Sequence, residues 1–266
     1  MNNRFYNPGM LGDIIYAIPF CLSCAGIFNE NQLDNGNKFD YYLDTCLLHK
    51  ENGFDSLKML GDVLMLQPYI GELHIDKQSP WVGANALDLG IIRKGRVNMN
   101  NGDITRRYRF LRRLPEYFDA SGKWLRVDGY ENSKYDWIEG KIGVFRTTRY
   151  RNRKIANYNA LKPFMNRLLF FGTESEHLMF CSEMGGTIMR FQGDFIDVCR
   201  AFQRCLFVVG NQTFLFALAE ALKVPRLCEM ASSIPDVMPL GCLANCFVDN
   251  EDFHQCIEMY RSVLKF

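Results

Sequence analysis

The sequence predicts an α/β protein of two domains, each a doubly wound parallel sheet, and two observations carry this prediction. Short apolar runs of strand length alternate with longer amphipathic runs of helical length along most of the chain. The alternation is interrupted once, around residues 119–140, where Gly, Ser, Asp and aromatic residues follow no sustained period. Because alternating strands and helices fold into helix-covered parallel sheets, the interruption predicts two such sheets with a cleft between the carboxyl ends of their strands.

The first domain is predicted to span residues 1–138. A short, polar strand of at most residues 4–7 precedes a helix that begins near Gly12 and ends near Cys24. Strands are then predicted at residues 38–44, 71–76 and 84–92, and a helix within residues 54–70 that stops at Pro68. The last element is a cationic helix at residues 100–115, with Asp103 as its cap and Pro115 at its end.

The second domain is predicted to span residues 139–266, because the alternation restarts after the interruption. Apolar runs predict strands at residues 141–148, 168–173, 187–192, 206–210 and 225–230. Amphipathic spacing predicts helical segments at residues 159–168, 174–185, 195–205 and 212–224. The regularity of this half makes a parallel sheet the natural assignment.

The charge of the chain is nearly balanced, with 31 Lys and Arg against 30 Asp and Glu and a net charge of +1. Such a balance excludes long-range attraction of nucleic acid or of an anionic membrane by the whole molecule, so any attraction must be local. The local candidates are arginines 106, 109 and 113, which share one face of the predicted cationic helix. No module that stacks single-stranded RNA bases is recognisable there, and no nucleic-acid partner is predicted.

The cysteines and the apolar runs indicate the cellular compartment in which the protein is expected. Ten cysteines lie mostly inside apolar segments, where a free thiol behaves as a small hydrophobe, and this favours a reducing compartment. Neither Cys21-x-x-Cys24 nor Cys242-x3-Cys246 supplies four zinc ligands, so no metal is predicted. The apolar run at 14–28 loosely resembles a secretory signal, but only one basic residue, Arg4, precedes it and it is too short to span a bilayer. We expect a soluble, cytoplasmic protein without stable membrane insertion.

The first stretch suited to chemistry is the join formed by Gly210, Asn211, Gln212 and Thr213, where an apolar strand ends and a helix begins. Free backbone N–H groups at a helix start, together with polar side chains, suit an anion such as a diphosphate. An ordinary helix cap explains the same spacing. The join therefore predicts either an anion site or a cap.

Two further stretches accompany it. "FRTTRYRNRK" (145–154) places basic side chains, including Arg146 and Arg149, directly after a predicted strand. Guanidinium groups bind phosphate in bidentate fashion, and a solvated run of charge is the alternative. In "GMLGDIIYAIP" (9–19), Gly12 lets the backbone turn into the helix and Asp13 falls in its first turn. Asp13 is then a helix cap or a general base.

Other catalytic patterns are not recognisable in the sequence. The four histidines have neither a nucleophile elbow nor a Cys–His signature near them, so a catalytic triad is not predicted. No Walker A or GxGxxG pattern occurs either.

Taken together, the two glycine-containing stretches resemble a known family. "GMLGDIIYAIP" resembles the N-terminal Gly-x-Leu-Gly-Asp motif of the bacterial heptosyltransferase-like glycosyltransferases. "VVGNQTFLFALAEAL" (208–222) is similar to that family's Gly-Asn-Asp-Ser-Gly loop and following helix, and the two motifs occur in the family's order. Gln212 stands at the family's acidic position, Thr213 at its serine and Phe214 at its second glycine.

The resemblance implies a GT-B fold of two Rossmann-like domains and transfer of a sugar from a nucleotide diphosphate donor to a glycan or other hydroxyl acceptor. The transfer would be inverting and metal-independent and would need no cofactor. The second domain would hold the donor and the first the acceptor, with Asp13 as general base. The residues that would bind the nucleotide sugar are Gly12, Arg146, Arg149, Gly210, Asn211, Gln212 and Thr213. A non-catalytic nucleotide-sugar-binding, glycan-binding or structural protein on the same scaffold is the alternative.

Overall fold

A computed structural model describes residues 3–44, 53–76, 85–92, 103–155, 157–231 and 236–266. The chain divides into two compact units, Met1–Arg126 and Val127–Phe266. Among the described residues, each unit contains one sheet, of four strands in the first and six in the second, and every strand pair is parallel. The predicted α/β class with two parallel sheets is therefore confirmed.

The sheet of the first unit has as one of its inner strands the strand that was predicted to be shortest from the sequence. Its elements are β1 (Arg4–Asn7), α1 (Leu11–Cys24), β2 (Phe39–Asp44), α2 (Gly53–Met65), β3 (Ile70–Asp76), β4 (Leu87–Asp88) and α3 (Ile104–Arg107). The strand order is β3-β2-β1-β4, and Tyr6 of β1 lies opposite Tyr42 on one side and Asp88 on the other. Because β1 is central, the turn that follows it lies in the middle of the sheet's carboxyl edge.

The second unit has the order β10-β9-β8-β5-β6-β7. Its strands are β5 (Ile142–Phe145), β6 (Leu168–Phe170), β7 (Met189–Arg190), β8 (Phe207–Asn211), β9 (Arg226–Glu229) and β10 (Ala244–Phe247). Its helices are α4 (Glu174–Met184), α5 (Phe195–Arg204), α6 (Phe214–Leu222) and α7 (Asn250–Leu264). The chain runs outward from β5 to β7 and returns to β8, so the order reverses between β5 and β8, where doubly wound sheets bind ligands.

Two elements of the first unit differ from the prediction. The described part of the strand predicted at 84–92 forms only β4, followed by a 3₁₀ helix (Leu89–Ile92). Asp88 ends the strand because its Oδ1 accepts a hydrogen bond from the N–H of Gly90 at 2.8 Å and so closes a turn.

The predicted cationic helix is also shorter than expected. Asp103 caps it as predicted, but α3 ends at Arg107 and a 3₁₀ helix (Tyr108–Leu111) follows. The Tyr117 hydroxyl donates to the carbonyl of Arg112 at 2.7 Å, so this backbone carbonyl bonds outside a helix. Residues 100–102 lie outside the described residues. Arginines 106, 109 and 113 therefore do not share one face of a single helix, and that prediction was wrong.

The predicted domain boundary after residue 138 lies inside the second unit. A 3₁₀ helix (Ser133–Ile138) packs on α5, where Lys134 Nζ lies 2.9 Å from Asp197 Oδ1 and Tyr135 also donates to that carboxylate. Further along α5, Arg200 Nε donates to the carbonyl of Asp128 at 2.8 Å. These contacts, which join residues distant in sequence, attach residues 127–138 to the second unit.

The Asp197 contacts predict a pH-dependent contribution to stability. Burial alone would raise the pKa of Asp197, but hydrogen bonds from Tyr135 and Lys134 outweigh it and lower the pKa. The folded pKa then lies below the unfolded value of about 3.9, so the stabilisation is present above about pH 4 and lost as the pH falls through the folded pKa. We expect Asp197→Asn to lower the melting temperature by about 2–4 °C at pH 7, as roughly 1 kcal/mol would in a chain of this size.

Thermal unfolding of both proteins at pH 7 and pH 2.5 checks this expectation. The difference between Asp197→Asn and the parent should shrink at the lower pH, where a larger fraction of the parent's Asp197 is protonated. Asp62→Asn, on the exposed side of α2, is the matched control and should change neither curve. An equal difference at both pH values would contradict the assignment to an ionised Asp197.

The described cysteines and helices give two further findings. Nine cysteines carry free thiols. Burial raises the pKa of Cys24 and Cys256 to about 11 and that of Cys205 to about 12, so these thiols are protonated at neutral pH. None of the described helices has both the length and the apolar character that crossing a bilayer requires.

Candidate functional site

The turn between β1 and α1 holds the first candidate residues in a tightly specified backbone. Asn7 ends β1, and its Oδ1 accepts a hydrogen bond from the N–H of Gly9 at 2.8 Å. A Cβ at Gly9 would lie 2.6 Å from Asn7 Oδ1 and 2.9 Å from Asp13 Cβ, so only glycine fits. Gly12 lies inside the first turn of α1. The glycine that the turn requires is therefore Gly9 and not, as the sequence predicted, Gly12.

Asp13 is held at this turn by α1 itself. Its side chain is buried, with 4% exposure, and its Oδ2 accepts a hydrogen bond from the N–H of Met10 at 3.3 Å. The Tyr108 hydroxyl donates to its backbone carbonyl at 3.1 Å. The first turn of a helix stabilises a carboxylate through the free N–H groups there. Asp13 thus acts as a cap, and it is also an oriented carboxylate at the sheet edge where a general base is expected.

Sequence reasoning missed a second acid at the same edge. Asp44 ends β2 and is fully buried, and the Tyr6 hydroxyl donates to its Oδ2. Asn7 and Leu43 are register partners, so Asp44 lies one residue beyond the end of β1. The available signal was its position as the polar residue that closes an apolar strand. In the described part of the chain, no group of three or more His, Cys, Asp or Glu side chains is placed to hold a metal ion.

In the second unit, the ends of β5 and β8 approach each other closely. Phe145 and Gly210 are register partners, and a Cβ at Gly210 would lie 2.1 Å from the Phe145 ring. Asn211 is fully buried and holds the loop after β5: its Oδ1 accepts from the N–H of Thr147 at 3.1 Å, and its Nδ2 donates to the carbonyl of Arg149 at 2.6 Å. Gly210 and Asn211 therefore position the loop of basic residues.

Gln212 and Thr213 form the start of α6. Thr213 is the N-cap, and its side chain accepts a hydrogen bond from the N–H of Phe216 at 3.4 Å. Gln212 is 7% exposed, and its Oε1 accepts from the N–H of Ala231 at 3.1 Å. Its Nε2 is buried and has no hydrogen-bond partner among the residues the structure describes. An unpaired buried donor beside a helix N-terminus is what an anion would satisfy.

The two candidate arginines differ in accessibility. Arg149 is exposed, and its guanidinium lies 4.5 Å from the centre of the Tyr150 ring. Arg146 is 1% exposed and donates to both oxygens of the buried Glu229, from Nε at 2.9 Å and from Nη2 at 3.2 Å. Its Nη1 donates to Glu183 at 3.0 Å. Arg146 is thereby engaged inside the unit, and of the two arginines only Arg149 is accessible to a ligand.

The charge of Arg146 is fixed by its surroundings. Burial alone would lower the pKa of its guanidinium, but the pKa is raised, and at neutral pH the carboxylates of Glu229 and Glu183 supply the opposing negative charge. Burial raises the pKa of Tyr158, and the charge of Glu229 raises it further. Tyr158 is therefore a neutral phenol, and its hydroxyl donates to Glu229 Oε2 at 2.7 Å. No local sequence pattern indicates that Arg146 and Glu229 pair, because 83 residues separate them.

The two parallel sheets place the chain in the fold class of the GT-B glycosyltransferases, which have two Rossmann-like domains. Comparisons with protein-family models and with curated sequences give no match. Solved structures do match, and they include heptosyltransferases and a family 9 glycosyl transferase.

Three of these structures illustrate the likeness. The family 9 glycosyl transferase from Veillonella parvula superimposes with a TM-score of 0.61 at 13% identity, over 100% of this chain and 91% of that one. The E. coli heptosyltransferase WaaC with ADP gives 0.54 at 12% identity, over 98% of both chains. The dodecameric iron-containing heptosyltransferase TibC from enterotoxigenic E. coli, in complex with ADP-D-β-D-heptose, gives 0.58 at 12% identity, over 100% of this chain and 78% of that one. The fold is therefore heptosyltransferase-like, as the two motifs predicted.

Proposed function

We propose that the protein is a glycosyltransferase that moves a sugar from a nucleotide diphosphate donor to a hydroxyl of a glycan or other acceptor, with inversion and without a metal ion. The observation that supports this most directly is the buried Nε2 of Gln212, which has no partner among the described residues and lies at the start of α6. The heptosyltransferase-like fold supports the reaction class, and the WaaC and TibC structures contain ADP or ADP-heptose.

The second unit would hold the donor. The free N–H groups of the first turn of α6 and the Gln212 amide would bind the diphosphate oxygens, and the exposed guanidinium of Arg149 would add positive charge. These groups would be most valuable as the bond between the anomeric carbon and the diphosphate breaks, because negative charge then accumulates on the leaving group. Arg146 and Asn211 would act indirectly, by positioning the loop that carries Arg149.

The first unit would supply the general base. Asp13 would take the proton of the acceptor hydroxyl as that oxygen attacks the anomeric carbon, and attack opposite the departing diphosphate inverts the configuration. Its burial and its helix-start position keep the carboxylate in one orientation, which a base requires.

A second candidate function is binding of a nucleotide sugar or glycan without turnover. Phe214 carries a ring where the resembled family has a glycine, and this ring packs on Phe195 with 4.6 Å between ring centres. Gln212 also lacks the negative charge of the family's residue at its position. A site altered in this way can retain the anion-binding N–H groups and lose the groups that orient the sugar.

A thermal-shift screen of nucleoside diphosphates and their sugars separates these functions. We expect one nucleotide class to raise the melting temperature by about 5–10 °C at a hundredfold excess over its dissociation constant. Transfer or hydrolysis of that donor sugar supports the transferase, and binding without any consumption supports the second candidate. A flat screen would contradict both.

Gln212→Met tests the Gln212 amide at nearly constant volume. We expect it to weaken binding of the diphosphate about tenfold or more, because a hydrogen bond to a charged group is lost. Gln192→Met, at an exposed position, is the control and should bind as the parent does. Calorimetric titration well below the melting temperature separates this effect from the stability that the Oε1 contact to Ala231 contributes. Unchanged affinity in Gln212→Met would place the anion elsewhere.

A further inference from the structure

A basic surface with an apolar centre lies on the first unit. Residues 103–117 contain five arginines and two carboxylates. We define the Phe110 patch as Arg106, Arg109, Phe110 and Arg113, whose side chains are all exposed. The whole chain carries a net charge of only +1, so this segment concentrates positive charge that the molecule otherwise balances.

Phe110 is the apolar centre of the patch. It is 75% exposed, the largest exposed fraction among the large apolar side chains of the described residues. A phenyl ring held in water contributes nothing to folding, whereas a membrane interface or a partner would remove it from water. Along the chain it directly follows Arg109 and comes shortly before Arg112 and Arg113, so positive charge lies on both sides of it in the sequence.

The arginines of the patch are available to a partner. Within the described residues, Arg106, Arg109 and Arg113 form no ion pair with a carboxylate. Other exposed or half-buried arginines do: Arg126 pairs with Asp34, and Arg204 lies 2.8 Å from Asp136. The charge on the patch is thus not neutralised within the described unit.

The backbone under the patch is firmly held. Tyr108 is buried, and its hydroxyl donates to the carbonyl of Asp13 at 3.1 Å. The Tyr117 hydroxyl donates to the carbonyl of Arg112 at 2.7 Å and accepts from the N–H of Leu114 at 3.2 Å. The guanidinium of Arg109 lies 4.8 Å from the centre of the Tyr117 ring. A preorganised surface loses little conformational entropy when it docks.

We propose that the Phe110 patch docks the protein reversibly on an anionic phospholipid bilayer, with the ring in the interface and the arginines on the headgroups. Basic side chains around an apolar residue suit such a surface, where charge and apolar burial add. Single-stranded nucleic acid is less well matched, because it needs several stacking rings along a groove and the patch offers one. Docking by this patch does not depend on the proposed sugar transfer.

Sedimentation of the full chain with sucrose-loaded vesicles tests the proposal. Binding is expected to vesicles containing about 30% phosphatidylserine in phosphatidylcholine at 0.1 M NaCl, and to fall sharply at 0.5 M NaCl as headgroup attraction is screened. Pure phosphatidylcholine vesicles should bind little. Phe110→Ser should weaken binding about tenfold without changing the melting temperature, because the ring is exposed in the folded protein.

A charge-reversal pair isolates the arginines. Arg106→Glu with Arg113→Glu should weaken vesicle binding at least tenfold and spares Arg109, which packs on Tyr117. Lys162→Glu with Arg167→Glu makes the same change in net charge at exposed positions of the second unit and should bind as the parent does. Equal losses in both pairs would overturn the proposal, because the effect would then follow from net charge. Absence of vesicle binding would overturn it too, as would a single-stranded oligonucleotide that binds through the patch while vesicles do not.

Discussion

Asp13→Asn is expected to lower sugar transfer by about 10²–10⁴-fold, the contribution of a general base, while the affinity for the donor changes by no more than about twofold. The amide keeps an oxygen that accepts the hydrogen bond from Met10, so the turn after β1 should persist. Loss of the carboxylate at the helix start costs about 0.3–1 kcal/mol. The measurement is kcat/KM with the donor that the thermal-shift screen identifies, together with the melting temperature.

Asp44→Asn is the informative control for this variant, because Asp44 is also a buried carboxylate at the carboxyl end of a strand in the same sheet. We expect it to lower the melting temperature through its contact with Tyr6 and to leave transfer measurable. Asp62→Asn, on the exposed side of α2, should alter neither quantity. Full activity in Asp13→Asn would show that Asp13 is not the general base. Loss of activity only in Asp44→Asn would instead indicate that Asp44 is the base.

The local sequence pattern was sufficient to predict the helices and strands that carry the candidate residues. The apolar run after Gly12 predicted α1, and the run that ends at Gly210 predicted β8 and the start of α6. Both joins combine a strand, a short polar or glycine-containing segment and a helix, and each of these features is set by residues close together in sequence. The heptosyltransferase-like fold followed from these two joins and their order.

Long-range contacts decided what the sequence could not show. The basic residues next to Arg146 in the sequence predict a ligand-binding role for it. In the structure, however, its guanidinium is buried, where it donates to Glu229 and packs on the Tyr158 ring. The arginines near residue 110 follow the helical period, yet the Tyr117 hydroxyl bonds to backbone carbonyls there and the helix stops early. Neither contact can be predicted from the local sequence pattern, because that pattern depends on neighbours along the chain and these contacts join residues that are distant in sequence or depend on tertiary structure.

Arg146→Met is expected to destabilise the second unit by about 3–5 kcal/mol, because it leaves the carboxylate of Glu229 buried without its cation. In a chain of this size the melting temperature should fall by roughly 10 °C. Removing both charges with Arg146→Met and Glu229→Leu should recover part of this loss, since no uncompensated charge then remains. Thermal and urea unfolding of the three proteins measure these differences.

The same variants decide between the two roles of Arg146. If its guanidinium bound the diphosphate directly instead of pairing with Glu229, Arg146→Met would weaken donor binding and change stability little. The exposed Arg167→Met is the control and should also change stability little. If Arg146 positions the loop, Arg146→Met should lower the stability of the protein. The double variant should then regain stability without regaining donor affinity. The reason is that the loop that carries Arg149 still lacks the hydrogen bond from Arg146 Nη2 to the carbonyl of Ile155. Recovery of both quantities together would show that neither charge is needed to hold that loop.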